Sequence, residues 1–301
     1  MGGWAPMTEQ ALPAPTLPQA RPVNIRGATM RAIYIIWKRD LIRYWRDRMR
    51  VFASLAQPVL FLFVFGSGLS SSLRGSTGGF GGPGSSLQYV QFIFPGIIGM
   101  SVLFTSIFGA MSIVWDREFG FLKEVLVAPI HRSAVAIGKT LGGATQAMFQ
   151  GIVILILAPL VGVKLTFLGV AELIPMIFLF AFALSALGVA VAARMRTMQG
   201  FQMVMNFLMM PLFFLAGALF PLGGNLPAWL SVLTRFDPAS YGIDALRRTV
   251  LTASGVPSRV LDTLGLTIFG HPLSVWPEEA VLVAFGVLMM SLAVYGFRQR
   301  D

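Results

Sequence analysis

The chain alternates long apolar stretches with short polar ones, and this alternation predicts its architecture. An apolar run of about 18 or more residues is long enough to cross a membrane, and a helix satisfies its backbone polar groups internally. Six runs are predicted to be transmembrane helices: 51–69, 92–114, 134–163, 170–193, 201–220 and 280–297. The predicted fold is therefore an all-α polytopic membrane protein with six spans.

Composition supports this class. The chain is 55% hydrophobic and 12% charged, whereas a soluble domain has about 25% charged residues. It has no cysteine and only two histidines, His131 and His271, which lie far apart. Disulfides and thiolate metal sites are therefore impossible, and no metal site is expected.

The distribution of Lys and Arg predicts the topology. With six spans, the two termini, the 115–133 loop and the 194–200 loop fall on one side and hold most of the basic residues. Since basic residues concentrate in cytoplasmic loops, both termini are expected in the cytoplasm, with the chain in the plasma (inner) membrane of a prokaryote.

The N-terminal part divides into a disordered tail, 1–27, and a cytoplasmic interfacial helix, 28–50; residues 51–301 form the predicted transmembrane domain. At helical spacing one face of 28–50 carries Met30, Ile33, Tyr34, Trp37, Leu41, Tyr44 and Trp45, and the opposite face carries Arg39, Arg43, Arg46 and Arg50. This pattern is typical of a helix lying on a membrane surface, with Trp37, Arg39, Arg43 and Arg46 as its candidate contacts. A nucleic-acid arm is disfavoured because a span follows at once.

No catalytic motif is visible. The I-G-K-T stretch at 137–140 resembles a phosphate-binding loop, but Ser133 stands where that loop needs a glycine. Lys139 is expected to extend to the cytoplasmic interface, and Glu172 is the one candidate for an intramembrane carboxylate. The chain is predicted not to be an enzyme, so uphill transport would need energy from a partner.

The loop after the second span carries charges beside apolar residues. As a helix it places Phe119, Leu122 and Leu126 on one face, and Pro129 ends it. Two interpretations stay open on this pattern: a connector resting on lipid or neighbouring spans, and a docking element for a cytoplasmic protein.

The same loop resembles a known family. The stretch W-D-R-E-F-G-F-L-K-E-V-L-V-A-P-I-H-R, followed by G-K-T-L-G-G-A, is similar to the signature region of type-2 ABC exporter permeases, especially the daunorubicin-resistance and nodulation-type branch. The matching positions are Arg117, Glu118, Gly120, Glu124, Ala128, Pro129 and Arg132. The basic N-terminal helix, the order of six spans and the long last outside loop extend the likeness.

The resemblance implies an assembly of two permease chains and two separate ABC ATPase subunits, which bind ATP and Mg; this chain would bind no cofactor. It also implies that the loop between spans 2 and 3 is a cytoplasmic coupling helix that docks on the ATPase. The docking residues would be Arg117, Glu118, Phe119, Gly120, Leu122, Lys123, Glu124, Leu126 and Pro129. Membrane lipid is a further expected partner, and nucleic acid is not.

The fifth span indicates the cargo. It is rich in Met and Phe, which suit surfaces that accept varied apolar ligands, although such residues also pack helices together. The candidate path residues are Met203, Asn206, Phe207, Met210 and Phe214 of this span, together with Gln150 of the third span. The leading hypothesis is a permease that exports hydrophobic compounds, drug-like or lipid-like. Multidrug efflux and antibiotic resistance would be the corresponding roles. The alternatives are a glycan or lipid-linked saccharide exporter and, more remotely, an ATPase-independent channel or a membrane-embedded enzyme.

Overall fold

A computed structural model describes residues 25–74, 89–119, 131–223, 226–268 and 271–298. Within these ranges the regular secondary structure is helical apart from one pair of short antiparallel strands. The helices are α1 Ile25–Arg46, α2 Arg48–Arg74, α3 Tyr89–Gly109, α4 Met111–Glu118, α5 Arg132–Ile156, α6 Phe167–Ala192, α7 Met198–Leu215, α8 Ala228–Phe236, α9 Pro238–Ala253, α10 Ser258–Leu264 and α11 Val275–Arg298. The antiparallel strands are β1 Thr267–Ile268 and β2 His271–Pro272.

Side-chain caps set where several helices begin. The hydroxyls of Thr166 and Thr197 accept hydrogen bonds from the backbone N–H groups of Gly169 and Gly200, at 3.3 and 3.2 Å, at the starts of α6 and α7. Such caps satisfy N–H groups that have no partner inside the helix. The chain after α5 makes a short 3₁₀ turn, Ala158–Val161, and leaves it at Gly162, whose φ of 78° favours glycine.

Four helical stretches among the described residues are long and apolar enough to cross a membrane: Tyr89–Glu118, Phe167–Ala192, Met198–Leu215 and Val275–Arg298. They coincide with predicted spans 2, 4, 5 and 6. The predicted first and third spans are also helices, α2 and α5, of 27 and 25 residues, but neither is among the four. The described chain is therefore helical, with four stretches long and apolar enough to cross a membrane, and the count of six spans stays a prediction.

Some helix boundaries differ from the predicted ones. The second span is interrupted at Ala110, between α3 and α4. The third apolar run continues to residue 163, but its helix ends at Ile156, two residues before the 3₁₀ turn. The fifth run continues to residue 220, but α7 ends at Leu215, and a turn follows at Gly217 with φ of 65°. Apolar composition alone does not encode these turns.

The core of the bundle is formed by α3, α5 and α6, which pack against one another. The last helix, α11, covers α6 and α5, and α9 packs on α3, α6 and α11 at the end opposite to α1. Small residues allow the closest approaches. A Cβ atom on Gly188 of α6 would lie 2.8 Å from the carbonyl oxygen of Ile107 on α3. Close backbone contact of this kind stabilises helix pairs in membranes.

The N-terminal helix α1 packs along α5. A Cβ atom on Gly138 or Gly142 of α5 would crowd Ile36 and Asp40 of α1 at 3.0 and 3.2 Å. The buried face of α1 is formed by Ala32, Ile36, Asp40 and Tyr44. Met30, Tyr34 and Trp45 of the predicted apolar face are exposed within this chain, while Asp40 is buried. The position of this helix on a membrane surface stays a prediction.

Replacing Gly188 with alanine is expected to lower the melting temperature of the purified protein by several degrees, because the new methyl group meets backbone atoms that cannot move aside. Gly286→Ala in α11 is the matched control, since its Cβ would lie 3.4 Å from Ala183, an ordinary contact. The control should keep or raise the melting temperature, as alanine favours helix over glycine. Equal melting temperatures would contradict the close packing of α3 on α6.

Candidate docking region and transport path

A buried lysine joins three helices next to the predicted docking loop. The Lys139 side chain on α5 is 2% exposed. Its Nζ donates to Asp40 Oδ1 on α1 at 3.1 Å, to Asp116 Oδ2 on α4 at 3.0 Å and to Ser112 Oγ on α4 at 3.1 Å. An ammonium group has three donors, and each one finds an acceptor here. Lys139 therefore does not extend to the interface, and that expectation was wrong.

Two arginines of α1 complete this group. Arg39 Nη2 donates to Asp116 Oδ2 at 2.9 Å, and Arg43 Nη1 lies 3.5 Å from Asp116 Oδ1. The Arg43 guanidinium also lies 5.7 Å from the centre of the Trp115 ring. We name these five ionised residues, Arg39, Asp40, Arg43, Asp116 and Lys139, the Lys139 cluster. It fixes α1 against α4 and α5.

The other candidate contacts of α1 have separate surroundings. Trp37 is half-buried, and its Nε1 donates to Thr145 Oγ1 on α5 at 3.1 Å. Arg46 is exposed near the end of α1. Three of the four predicted contact residues, Trp37, Arg39 and Arg43, therefore bind other side chains of this chain. The fourth, Arg46, is exposed.

The described part of the predicted docking loop binds the turn between α6 and α7. Arg117 Nη1 donates to the carbonyl oxygens of Ala192 and Ala193, at 3.3 and 3.2 Å, and to that of Met195. Glu118 Oε2 accepts from the backbone N–H of Met198 at 2.9 Å. These bonds satisfy orphan groups at the end of α6 and the start of α7. A cation at a helix C-terminus and an anion at a helix N-terminus also interact favourably with the helix dipoles.

Phe119 is exposed, and its ring lies 5.6 Å from that of Trp115. The remaining predicted docking residues, Gly120, Leu122, Lys123, Glu124, Leu126 and Pro129, lie outside the described residues. Where the chain is described again, Arg132 Nη1 donates to the carbonyl oxygens of Phe297 and Arg298 at the end of α11, at 3.1 and 3.2 Å. Both flanks of the loop are therefore bonded to the ends of long helices.

The predicted path residues on α7 share one exposed stripe. Met203 and Phe207 are 75% and 83% exposed, and the stripe consists of Met203, Asn206, Phe207, Met210 and Phe214. The opposite side of α7 is buried through Met205, Met209 and Leu212. We call this exposed set the α7 stripe; within this chain it is free to contact lipid, a second copy or cargo.

The sixth predicted path residue, Gln150, lies elsewhere. It is buried on α5, where its Oε1 accepts from Thr105 Oγ1 of α3 and its Nε2 donates to the carbonyl oxygen of Ser54 on α2. Gln150 therefore bridges α2, α3 and α5 rather than joining the α7 stripe.

A second buried ionic group lies at the opposite end of the bundle. Asp244 of α9 accepts from the N–H of Leu266 at 2.8 Å and lies 3.7 Å from Arg247 and 3.4 Å from Arg248. Arg248 also lies 3.8 Å from Glu278 of α11, whose side chain is fully buried. The Arg247 guanidinium covers the Phe92 ring of α3 at 4.3 Å. This group ties α9 to α3 and α11.

Sequence reasoning missed both ionic groups. Glu172, the predicted intramembrane carboxylate, is exposed. In contrast, Glu278 and Lys139, which lie near the ends of apolar runs, are buried. The sequence I-D-A-L-R-R at 243–248 does carry a signal, since Asp244 precedes Arg247 and Arg248 by three and four residues, a helical pairing distance. Nothing in the local pattern pairs Lys139 with Asp40, which lies 99 positions earlier. Among the described residues no three potential metal ligands cluster.

Comparison with known proteins points to one family. The family described as "ABC-2 type transporter" matches residues 31–251. The chain is 26% identical over 218 residues to the putative transport permease ycf38 of Cyanophora paradoxa, covering 71% of this chain and 72% of that protein. It is 26% identical over 219 residues to nodulation protein J of Rhizobium leguminosarum bv. viciae, covering 72% and 81%. It is 27% identical over 246 residues to the inner membrane transport permease YadH of Escherichia coli K12, covering 79% and 89%.

Lys139→Met is expected to destabilise the protein strongly, because it leaves the buried carboxylates of Asp40 and Asp116 without their shared cation. Breaking a buried ion pair from one side costs about 3–5 kcal/mol. Thermal unfolding of the purified protein in detergent measures the loss. Adding Asp40→Asn to Lys139→Met should restore part of the melting temperature, while Arg46→Gln on the exposed side of α1 should leave it unchanged. A Lys139→Met variant that melts with the wild type would contradict the cluster.

A second prediction concerns Asp237, which caps α9 by accepting from the N–H of Ala239 at 2.9 Å and from Ser240 Oγ at 3.2 Å. Burial raises the pKa of Asp237 from 3.8 to about 7. Between these values the unfolded carboxyl loses its proton while the folded one keeps it, so the free energy of unfolding falls as pH rises.

Asparagine also caps helices but does not titrate. The melting temperature of Asp237→Asn minus that of the wild type should therefore increase between about pH 4 and about pH 7. Glu172→Gln, an exposed carboxyl, is the control and should show no such trend. A constant difference for Asp237→Asn would mean that Asp237 is ionised throughout this range.

Proposed function

The chain belongs to the ABC-2 type transporter permease family, and from this premise we propose that it is the membrane subunit of an ATP-driven exporter of hydrophobic compounds, drug-like or lipid-like. The observation that carries the choice of cargo is the α7 stripe, in which Asn206 is the one polar side chain among four apolar ones. Multidrug efflux and antibiotic resistance are the corresponding physiological roles. A saccharide exporter would need a more polar surface on this helix.

The energy source we propose is a separate ABC ATPase, as is general for this family, which would bind ATP and Mg. This chain would contribute no catalytic group, and its relatives are named as transport permeases. Two ATPase subunits and a second copy of this permease would complete the assembly. The exposed apolar residues of α2, such as Leu60 and Phe63, together with the α7 stripe, offer surfaces for that second copy.

The docking loop would transmit force from the ATPase to the membrane helices. Arg117 and Glu118 join the start of the loop to the ends of α6 and α7, and Arg132 joins its other flank to the end of α11. A displacement of the loop would therefore act on three long helices directly. The Lys139 cluster would hold α1 and α4 together during this movement.

The proposed location is the inner membrane of a prokaryote, with both termini in the cytoplasm. Support comes from the concentration of Lys and Arg in the predicted cytoplasmic segments and from the similarity to an inner membrane transport permease of E. coli. In this orientation the Lys139 cluster lies at the cytoplasmic end and the Asp244 group at the outer end.

Co-purification with the ATPase encoded beside this chain tests the proposal. Glu124→Arg is expected to reduce co-purification and stimulated ATP hydrolysis about tenfold or more, because a reversed charge in a desolvated contact costs about 2–5 kcal/mol. Glu172→Arg, an exposed carboxylate outside the loop, is the control and should behave as the wild type. Glu118→Arg combined with Glu124→Arg should abolish the complex.

Because Glu118 also caps α7, the melting temperature of each variant must be compared with that of the wild type. Normal binding and hydrolysis by a folded Glu124→Arg variant would show that the loop is only a connector. Absence of any complex with the wild type would contradict the exporter proposal itself.

A further inference from the structure

A pair of carboxyl groups is buried at the contact between α9 and α11. The Glu278 side chain is fully buried in the first turn of α11, and neither of its oxygens has a hydrogen-bond partner among the described residues. Oδ1 of Asp244, a residue that is also fully buried, has no such partner there either. Three buried carboxyl oxygens without a donor need an explanation, because buried polar groups almost always have a partner.

The two carboxyl groups lie against the same arginine. Arg248 Nε is 3.4 Å from Asp244 Oδ2 and 3.8 Å from Glu278 Oε1, and the two carboxyl groups are within hydrogen-bonding reach of each other. Asp244 Oδ2 accepts from the N–H of Leu266 at 2.8 Å, which leaves Oδ1 available for another donor. Two ionised carboxylates so placed repel each other, whereas one proton between them makes a hydrogen bond.

The charges around Glu278 cancel without it. The cations Arg247 and Arg248 and the anion Asp244 come from α9, and α10 contributes Asp262, whose Oδ1 lies 3.3 Å from Arg248 Nη1. Burial lowers the pKa of Arg247 from 12.5 to about 10, so this side chain stays positive at neutral pH. Two positive and two negative charges are therefore present, and an ionised Glu278 would be a third, uncompensated anion.

The surroundings of Glu278 disfavour such a charge. The N-terminus of α11 attracts an anion, but this effect is small beside the cost of burying a charge that has no donor. Tyr241 of α9 is also near Glu278, but its hydroxyl donates to the carbonyl oxygen of Arg235 at 2.7 Å. A Cβ atom on Gly265 would lie 2.8 Å from Asp244 Oδ2, so the backbone covers this group closely.

We propose that Glu278 binds a proton and donates it to Asp244 Oδ1, which makes the contact between α9 and α11 a proton-binding site. The proton supplies the missing donor and leaves the group electrically neutral. Its loss places a third negative charge in the contact and separates the start of α11 from α9. Asp262, whose side chain is 47% exposed, connects the group with solvent. The site does not require that the chain be an exporter.

Thermal unfolding of the full-length protein in detergent tests the site. Glutamine imitates a protonated glutamate, because its NH₂ group donates where the acid O–H would. A glutamate in the unfolded chain loses its proton at about pH 4.3, whereas the folded wild type keeps it, so wild-type stability falls as pH rises. The melting temperature of Glu278→Gln minus that of the wild type should therefore increase by several degrees between about pH 5 and about pH 8.

Glu279→Gln is the matched control, because it makes the same change one residue further along α11 at a half-buried position. Its difference from the wild type should show no such trend. A difference for Glu278→Gln that stays constant with pH would mean that Glu278 is ionised in the folded protein, and this result would overturn the proposal.

Infrared spectroscopy detects the proton directly and does not need a folded glutamine variant. A protonated carboxylic acid has a carbonyl stretching band that a carboxylate lacks, and this band shifts in D₂O. Spectra are recorded at about pH 8, where ordinary carboxyl groups are ionised. The Asp237→Asn background is used because burial raises the pKa of Asp237 to about 7. The acid band of Glu278 should be present.

Asp244→Asn, added to that background, should remove the acid band, because the charges of Arg247, Arg248 and Asp262 are then balanced only by an ionised Glu278. Absence of the band before this change, or its persistence in the folded Asp244→Asn protein, would contradict a proton on Glu278. ATPase binding is not used as a readout, so the proposed function and this site can fail separately.

Discussion

The structure depends on neutralising one buried cation. Lys139 lies inside the bundle, where an unpaired ammonium group would be prohibitively unfavourable. Asp40 and Asp116 supply the opposing charges, and they come from two different helices. Because both carboxylates must reach one nitrogen, α1 and α4 are held against α5 at a single depth. The helix predicted to lie on a membrane surface is therefore also packed against the bundle.

The same end of the molecule contains the loop predicted to meet the ATPase. Arg117, Glu118 and Arg132 bind carbonyl and N–H groups at the ends of α6, α7 and α11. These groups are the ones that helices leave unsatisfied, so they bind strongly to ionised side chains. The side chains that resemble the family signature thus also hold the helix ends together, which makes a structural and a coupling role compatible.

The ionic groups at the two ends of the bundle connect different sets of helices. The Lys139 cluster connects α1, α4 and α5, and the Asp244 group connects α9, α3 and α11. Between them most contacts are apolar, with hydrogen bonds such as those of Gln150, and small residues such as Gly188 allow the helices to approach closely. In contrast, α7 packs on one side only and leaves its stripe exposed. A helix that is apolar all round but half uncovered requires a further apolar contact.

Apolar run length and one contiguous motif are enough to predict the class, the position of most long helices and the family likeness. Which charges are buried depends on how the helices pack. Lys139 and Glu278 resemble interfacial residues in the sequence, and their partners lie far away along the chain. Sequence periodicity predicts which residues share a helix face. The pairing of charged side chains on different helices depends on how those faces pack together.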